Sequence, residues 1–386
     1  MSLLRGFRLG SKATKKVVFN TGTLRNTPTY ITNKNFAPIG TFKDTISRVI
    51  GDNIHKKRPI DLGSYTFYHA GYGIPKNRAD IKKNNATEDY SAIVSKYEES
   101  GCCRSVGEDA YFHRSDAIGI GDGVGGWMNK KNGNPKLFAL SLMYNACKEI
   151  SRFEDVEDDK FMRNSDASPM DILNVAHAKA KKKLLDLGLK GSSTACIVIL
   201  VGNELRVANL GDCGLMVVRD GDIIFRTEEQ QHSFNFPYQL STEPSLDMPI
   251  DAQVFRIGVK KGDLIIVASD GMFDNLFDED ILEVVDQCTS PVVKTKAKPT
   301  KLINTDQAIK TPIQSSKFPQ LYLDPAEISR KLAERAYKVS MDSDCTESPF
   351  QNHAIYEGLY YHGGKADDIS VVSAVVADLE DTPNRR

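Results

Sequence analysis

The stretch TACIVILVGNELRVANLGDCGLMVVRDGDIIFRTE, residues 194–228, contains four short apolar segments in succession. Each segment is long enough for one strand and is rich in aliphatic and β-branched residues. The Gly-Asn and Asp-Gly pairs between segments supply the backbone angles that tight hairpin turns require. The stretch therefore predicts a meander of four short antiparallel strands.

Helices are predicted upstream of these strands. Residues 136–153 repeat apolar side chains every three or four positions, as one face of a helix requires. A second helix has a clear beginning, because Ser168 is a suitable N-cap and Pro169 suits the first helical position. Gly188 is a natural stop for that helix. Both helices come before the meander and do not alternate with its strands.

The C-terminal third adds further elements. Two strands, around residues 252–259 and 263–269, are joined by a Lys-Lys-Gly turn, and a helix is expected near residues 278–286. Another helix begins at Asp324-Pro325, with Glu327 placed for a capping box, and the chain closes on the strand DISVVSAVVA. Because helices interrupt groups of hairpins, we predict an α+β fold of two packed antiparallel sheets flanked by helices, an α-β-β-α sandwich.

Composition excludes several classes of protein. The 386-residue chain has a formal net charge of −1, so nothing in its overall charge indicates a nucleic-acid partner. No apolar run approaches the ~20 residues that a membrane-spanning helix needs. The seven cysteines are odd in number and lack the spacing of a disulfide framework or a zinc site.

The N-terminus is strongly biased in charge. No acidic residue precedes Asp44, and the early basic residues recur at helical spacing. A basic, acid-free segment that contains Ser and Thr is typical of a mitochondrial transit peptide, and the alternative is a disordered basic tail. We therefore expect the protein in the mitochondrion, in the matrix. The basic residues on one helical face are Arg5, Arg8, Lys12, Lys15 and Lys16.

These signals divide the chain into segments. We expect a transit peptide over residues 1–45, a linker over 46–63, a single core domain over 64–378 and a short tail over 379–386. Residues 289–323 are rich in Lys, Thr and Pro and have little periodicity, so they are expected to be a mobile insertion in the domain.

One glycine-rich loop has two interpretations. GIGDGVGGW, residues 119–127, matches G-x-G-x-x-G at Gly121, Gly123 and Gly126, the spacing of a dinucleotide-binding loop. Such a loop should lead directly into a helix, but WMNKKNGNP follows Gly126. No acid for a ribose stands about 20 residues later either. A dinucleotide oxidoreductase is therefore a weak alternative, and Asp122 within the loop becomes the residue of interest.

Acidic residues recur where apolar strands end or turn at glycine. Any one of them is ordinary turn chemistry, but clustered carboxylates repel one another unless a cation neutralises them. Ligands that are all oxygen favour a hard divalent ion, Mg²⁺ or Mn²⁺. The acids are Glu108 and Asp109 in VGEDAYF, Asp122 in IGDGVGG, Asp212 in NLGDCG, Asp270 in VASDGMFDN, and Asp367 and Asp368 in GGKADDISVV.

These motifs resemble those of the metal-dependent protein phosphatases, the PPM or type 2C family, over about residues 64–378. The family's order is kept: GEDA, DG, GSSTA, GD, SDG and KADDISV. The segments DGVGGW, EQQHSFNFPYQL and ESPF are similar to the mitochondrial branch of that family. The resemblance also implies a sandwich of two antiparallel sheets flanked by helices.

The resemblance implies a role for each acid. Asp122 would bridge two Mn²⁺ or Mg²⁺ ions, Asp270 and Asp367 would complete the ligands of one ion, and Glu108 with the carbonyl of Gly123 would complete those of the other. Asp109 would act through water, Asp212 would help hold a weaker third ion, and Arg104 would grip the phosphate. Val124 stands where many relatives have a His proposed as general acid; His232 and His362 are candidates by residue type alone.

The function expected from the resemblance is a metal-dependent serine/threonine protein phosphatase. It would hydrolyse phosphoserine and phosphothreonine on mitochondrial phosphoprotein substrates through water activated by two metal ions. Cys213 lacks a basic neighbour in the sequence, and GSSTAC lacks the G-x-S-x-G spacing, so neither supplies a nucleophile. Alternatives are an inactive phosphoprotein-binding scaffold and a two-metal nuclease or small-phosphoester hydrolase.

Overall fold

The computed structural model describes residues 65–76, 90–152, 167–244, 247–289, 323–343 and 347–378. The expected transit peptide, linker and C-terminal tail, and all but the ends of the expected insertion, lie outside the described residues. Among the helices of the described part, none is long and apolar enough to cross a membrane.

Two antiparallel sheets form the centre of the domain. The first has the order β1-β15-β14-β8-β9, with β1 (Tyr65–Ile74), β8 (Gly214–Arg219), β9 (Asp222–Arg226), β14 (Leu264–Ala268) and β15 (Ile369–Asp378). The second has the order β13-β7-β6-β4-β3-β2, with β2 (Arg104–Val106), β3 (Asp109–His113), β4 (Ala117–Gly121), β6 (Ala195–Val201), β7 (Glu204–Leu210) and β13 (Gln253–Gly258). Two short pairs complete the strands: β5 (Ser192–Ser193) with β12 (Leu240–Ser241), and β10 (Gln231–Ser233) with β11 (Phe236–Pro237).

Helices cover the outer faces of the two sheets. They are α1 (Ser91–Glu99), α2 (Pro135–Ser151), α3 (Pro169–Asp186), α4 (Asp270–Phe273), α5 (Asp278–Cys288), α6 (Pro325–Ser340) and α7 (Pro349–Tyr356). One apolar core lies between the sheets, a second between the second sheet and α2 and α3, and a third between the first sheet and α5 and α6. The predicted α-β-β-α sandwich is therefore confirmed. The sequence interpretation missed α4 and α7.

The predicted caps hold α3 and, in part, α6. Ser168 Oγ accepts a hydrogen bond from the amide of Asp171 at 3.3 Å, and Gly188 has φ +68° beyond the end of α3. Asp324 likewise accepts from the amide of Ala326. Glu327, however, does not complete the predicted capping box, because its carboxylate pairs with Lys331 one turn later at 2.8 Å.

The predicted meander is wrong at its centre. The hairpins β6–β7 and β8–β9 form as expected, but β7 and β8 belong to different sheets. Strand β6 buries both faces, with Ile197 against the helices and Val198 between the sheets. In a continuous meander all four strands would belong to one sheet. The core between the sheets would then have none of these strands on its other side. The chain instead crosses between sheets at Gly211, which has φ +102°. Strands β13 and β14 likewise lie in different sheets.

The strand register brings the acidic segments to one end of the sandwich. In the second sheet, Ala110 near the start of β3 pairs with Gly121 at the end of β4. In the first sheet, Ala268 at the end of β14 pairs with Gly214 at the start of β8 and with Val371 near the start of β15. Antiparallel neighbours place the end of one strand beside the start of the next, so residues just outside these pairs lie close together.

Candidate metal centre

Asp122 follows β4 and is fixed through its backbone. Its amide donates to Thr194 Oγ1 at 3.0 Å, and its carbonyl accepts from the amide of Thr194 at 2.9 Å. Gly123 forms a bridge with Ser193 beside it. The small residues of GSSTA therefore pack against the loop that carries Asp122, and the Thr194 hydroxyl accepts a hydrogen bond from the backbone of Asp122.

Three aspartates from separate parts of the chain converge. Asp212 stands at the crossing between the sheets, and Asp270 begins α4 directly after β14. Each offers one carboxylate oxygen, as does Asp122, and these three oxygens lie within 4.8 Å of one another. The structure thus brings together residues that are far apart in the sequence.

Glu108 is positioned by the aspartate that precedes β15. Asp368 Oδ2 accepts from the amide of Glu108 at 2.8 Å, and Oδ1 accepts from the amide of Lys76 at 2.7 Å. Gly107 has φ +60°, and a Cβ there would be 1.9 Å from Asp368 Oδ1, so only glycine fits. Glu108 itself is buried, and a Cβ on Gly125 would be 3.4 Å from its Oε2.

The cluster has more negative charge than its protein partners balance. Both carboxylate oxygens of Asp109, Oδ1 of Asp212 and Oδ1 of Asp270 are buried and make no hydrogen bond within the described chain. Burial, and then the charges of Asp368 and Asp270, raise the pKa of Asp109 well above its ordinary value. Burial and neighbouring carboxylates raise the pKa of Asp122 and of Asp212 in the same way.

These features fit divalent cations. A buried carboxylate oxygen without a hydrogen-bond donor is costly unless a positive charge lies beside it. The donors that converge are carboxylate oxygens, the ligand type of Mg²⁺ and Mn²⁺. A structural role through hydrogen bonds alone would leave these oxygens unsatisfied.

Asp367 sits at the side of this group. Its carboxylate lies 3.8 Å from Lys76 Nζ and 3.5 Å from Lys365 Nζ. Burial, followed by the charge of Asp270, raises the pKa of Asp367. The structure therefore brings Asp367 to the same end of the sandwich as Asp270, with lysines as its cationic neighbours.

Three residues of the site escaped the sequence interpretation: Lys365, Asp274 and Asn275. Lys365 Nζ contacts Asp270 Oδ2 at 2.5 Å and Asp274 Oδ2 at 2.6 Å. Burial and the neighbouring acids raise the pKa of Asp274 to about 7 despite the opposing charge of Lys365. The signal was in the quoted motifs, since Lys365 begins KADDISV and both other residues lie within VASDGMFDN.

Within the described part of the chain, no contact joins Arg104, His232 or His362 to the acid cluster. Arg104 is exposed on the edge strand β2, opposite Tyr111, and makes no ion pair with another described residue. His232 stacks on Tyr238 and pairs with Asp247, and His362 is exposed. The phosphate-gripping role of Arg104 stays a prediction, and His232 behaves as a satisfied surface histidine.

The dinucleotide interpretation of GIGDGVGGW fails on geometry. After β4 the chain forms a 3₁₀ turn, Gly125–Trp127, and α2 begins only at Pro135. The glycines therefore do not lead into a helix N-terminus, and the sheet beside them is antiparallel, whereas a dinucleotide-binding fold needs a parallel one.

Comparison with known proteins agrees with this geometry. Residues 119–305 match the family model described as Protein phosphatase 2C. The chain is 36% identical to "Probable protein phosphatase 2C 80" of Arabidopsis thaliana over 272 residues, which is 70% of this chain and 54% of that protein. It is 34% identical to the human "Protein phosphatase PTC7 homolog" over 332 residues, covering 83% of this chain and 90% of that protein.

A solved structure is similar as well. The X-ray structure of the photosystem II phosphatase PBCP superposes with a TM-score of 0.55 at 29% identity, covering 81% of this chain and 100% of that one. The chain spans about half the length of two of the Arabidopsis relatives that it matches, 54% of "Probable protein phosphatase 2C 80" and 48% of "Probable protein phosphatase 2C 55".

Proposed function

Because the chain belongs to the protein phosphatase 2C family, we propose that it is a metal-dependent serine/threonine protein phosphatase. The observation that carries this proposal is the group of Asp122, Asp212 and Asp270, whose carboxylate oxygens converge within 4.8 Å. Two of these residues also have a buried oxygen without a hydrogen-bond donor in the described chain. Clustered carboxylates of this kind bind cations in preference to neutral or anionic ligands.

The proposed ligands come from five separate segments. Asp122 would contact both Mn²⁺ or Mg²⁺ ions. Asp270 and Asp367 would complete the ligands of one ion, and Glu108 with the carbonyl of Gly123 would complete those of the other. Asp212 would hold a weaker third ion. When bound, paired divalent ions activate a water nucleophile and neutralise charge on a transferring phosphoryl group.

The remaining residues would position and balance charge. Asp109, which is buried, would order the ligands through water, and Arg104 would bind phosphate oxygens. Cys213 is no rival nucleophile, because burial, and then the charges of Asp122 and Asp212, raise the pKa of its thiol. The thiol therefore stays protonated, and no phosphoenzyme is expected on this residue.

We propose phosphoserine and phosphothreonine residues of mitochondrial proteins as the substrates. Support comes from the basic leader, which has no acid before Asp44. Fusion of residues 1–60 to a fluorescent reporter should direct it to mitochondria. A reporter that remains cytosolic would remove the mitochondrial part of the proposal and leave the phosphatase part intact.

The phosphatase proposal is tested by Asp122→Asn, which keeps the side-chain shape and removes one charge. The variant should lose Mn²⁺-dependent hydrolysis of a phosphothreonine peptide by at least 100-fold while its circular dichroism stays unchanged. Asp222→Asn is the matched control, since Asp222 is an exposed residue at the start of β9. Full turnover by Asp122→Asn would refute the assignment.

The two alternatives give different results with wild-type protein. A scaffold would bind a phosphopeptide yet hydrolyse neither it nor p-nitrophenyl phosphate in Mn²⁺. A small-phosphoester hydrolase or nuclease would cleave p-nitrophenyl phosphate or oligonucleotide efficiently and the phosphopeptide poorly. The proposed phosphatase should favour the phosphopeptide.

A further inference from the structure

Lys365 is held rigidly beside the acid cluster. Its amide donates to Asn275 Oδ1 at 2.9 Å, and its carbonyl accepts from Asn275 Nδ2 at 2.9 Å. The Asn275 side chain therefore pairs with both backbone groups of Lys365. The lysine side chain is only 12% exposed, and its ammonium lies over the ring of Phe350, 5.0 Å from the centroid. This is a fixed internal cation and not a surface lysine.

The two carboxylate oxygens of Asp270 have different surroundings, because the Lys365 ammonium contacts only one of them. Oδ2 contacts Lys365 Nζ at 2.5 Å. Oδ1 is buried without a hydrogen-bond partner in the described chain, and Asp270 is one of the three aspartates that converge. One oxygen of the carboxylate is therefore committed to the protein's own cation, while the other remains for an external one.

The same ammonium serves two further acids. Asp274 Oδ2 lies 2.6 Å from Nζ, and Asp367 Oδ2 lies 3.5 Å from it. These side chains are 14% and 29% exposed, so water screens their mutual repulsion poorly. Three carboxylates from two segments of the chain therefore share one ammonium group.

We propose that Lys365 is a built-in counter-cation: it holds Asp270, Asp274 and Asp367 together in the metal-free protein and orients Asp270 so that Oδ1 faces the metal site. Lys365 is thus a positioning residue whose charge is needed most before divalent ions bind. The proposal rests on the acid cluster being the metal centre of the proposed phosphatase. It predicts that the charge of Lys365 and bound metal partly substitute for each other.

The experiment compares the melting temperatures of wild type and Lys365→Met in EDTA and in saturating Mn²⁺. Methionine preserves length and apolar contact but removes the charge. In EDTA at pH 7 the variant should melt about 5–10 °C below wild type, because one buried and two partly buried acids lose their cation. In Mn²⁺ the deficit should shrink to less than half, because the ions supply positive charge to the same carboxylates.

Lys182→Met is the control, as Lys182 is 75% exposed on α3 and pairs only with Asp186 on the surface. It should leave both melting temperatures within about 1 °C of wild type. A Lys365→Met deficit that is equal in EDTA and in Mn²⁺ would mean that the side chain only fills space, and the proposal would be wrong. Absence of any deficit in EDTA would overturn it as well.

A second variant keeps the test decisive if Lys365→Met folds poorly. Adding Asp274→Asn removes one of the acids that repel one another, so the double variant should melt above Lys365→Met in EDTA. In wild type, the same substitution breaks an ion pair and should lower the melting temperature. Equal effects of Asp274→Asn in both backgrounds would contradict the proposed coupling.

Failure of the metal-centre assignment is visible separately. In that case Mn²⁺ would leave the melting temperature of wild type unchanged, whereas the EDTA comparison of wild type with Lys365→Met would still report on the counter-cation.

Discussion

Gly271 packs directly on the backbone of Asp368. A Cβ built on Gly271 would lie 2.1 Å from the Asp368 carbonyl oxygen, a distance that no side chain tolerates. This contact joins the start of α4 to the segment before β15. It therefore sets the separation between Asp270 and Asp367, which adjoin the two residues in contact.

Gly271→Ala should separate these two segments. Because the clashing atom belongs to the backbone, relief requires movement of α4 or of the segment before β15. We expect a loss of about 1–3 kcal/mol in the free energy of unfolding, measured by urea denaturation, and a large loss of Mn²⁺-dependent phosphatase activity. Gly258→Ala is the control, since a Cβ there meets nothing within 4 Å; equal behaviour of the two variants would contradict the argument.

Asp109→Asn should stabilise the metal-free protein. Asp109 is 1% exposed and its folded pKa is raised, so the folded state holds its proton more tightly than the unfolded state does. The resulting penalty begins as the pH rises above the ordinary pKa of an aspartate and grows until the pH passes the raised folded pKa. The neutral amide removes it, and we expect a gain of about 1–2 kcal/mol in EDTA. The gain in stability should vanish in Mn²⁺. A loss of stability of Asp109→Asn in EDTA would show that the carboxylate charge does not destabilise the metal-free protein.

The pair His69 and His113 should make stability depend on pH. Their Nδ1 atoms lie 2.8 Å apart between β1 and β3. Burial, and then the charge of His113, lower the pKa of His69 to about 4. Between pH 6.5 and about 4 the unfolded state therefore binds more protons, so the contribution to stability is complete above pH 6.5 and is lost as the pH falls towards 4.

His69→Gln tests this pH dependence. Urea denaturation at pH 7 and pH 4.5 should show wild type losing about 2–3 kcal/mol more than the variant between these two values. His362→Gln changes an exposed histidine and should retain the wild-type difference. A variant with the full wild-type pH dependence would assign that dependence to other groups.

The ion pair of Arg219 and Asp263 should matter more for stability than a surface pair nearby. Asp263 is 2% exposed and accepts from Arg219 Nε at 2.7 Å and Nη2 at 2.6 Å. Asp263→Asn leaves the guanidinium without its anion, and we expect a loss of about 2–4 kcal/mol in urea denaturation. Asp378→Asn breaks the exposed pair with Lys261 and should cost less than about 1 kcal/mol. Similar costs for both would show that burial does not govern the difference.

Local signals in the sequence predicted most of the regular elements. Helix α3 begins and ends where Ser168 and Gly188 predict, because capping depends on residues a few positions apart. The hairpins β6–β7 and β8–β9 follow from their turn residues. The same signals failed between β7 and β8, because which sheet a strand joins depends on which core its buried faces fill, and turn residues do not report that.

The acids of the site were also recognisable one by one, from glycine turns at strand ends and from the order of family motifs. The residues that pair with these acids could not be recognised from the sequence. Nothing near Lys365 in the sequence identifies Asp270 and Asp274 as its neighbours, because these contacts join segments about 90 residues apart in the chain. The pairing of His69 with His113 has the same origin, since it depends on the packing of one sheet on the other.

The sequence by itself thus determined most of the elements, the acid residues of the family motifs and the family to which the chain belongs, since each is encoded in short stretches. Only the tertiary structure decided which carboxylate oxygens are paired with lysine and which stay unpaired beside one another. The physical reason is that charge interactions depend on distance and burial. For residues far apart in the chain, strand register and the packing of the two sheets fix both the distance between the charges and their burial.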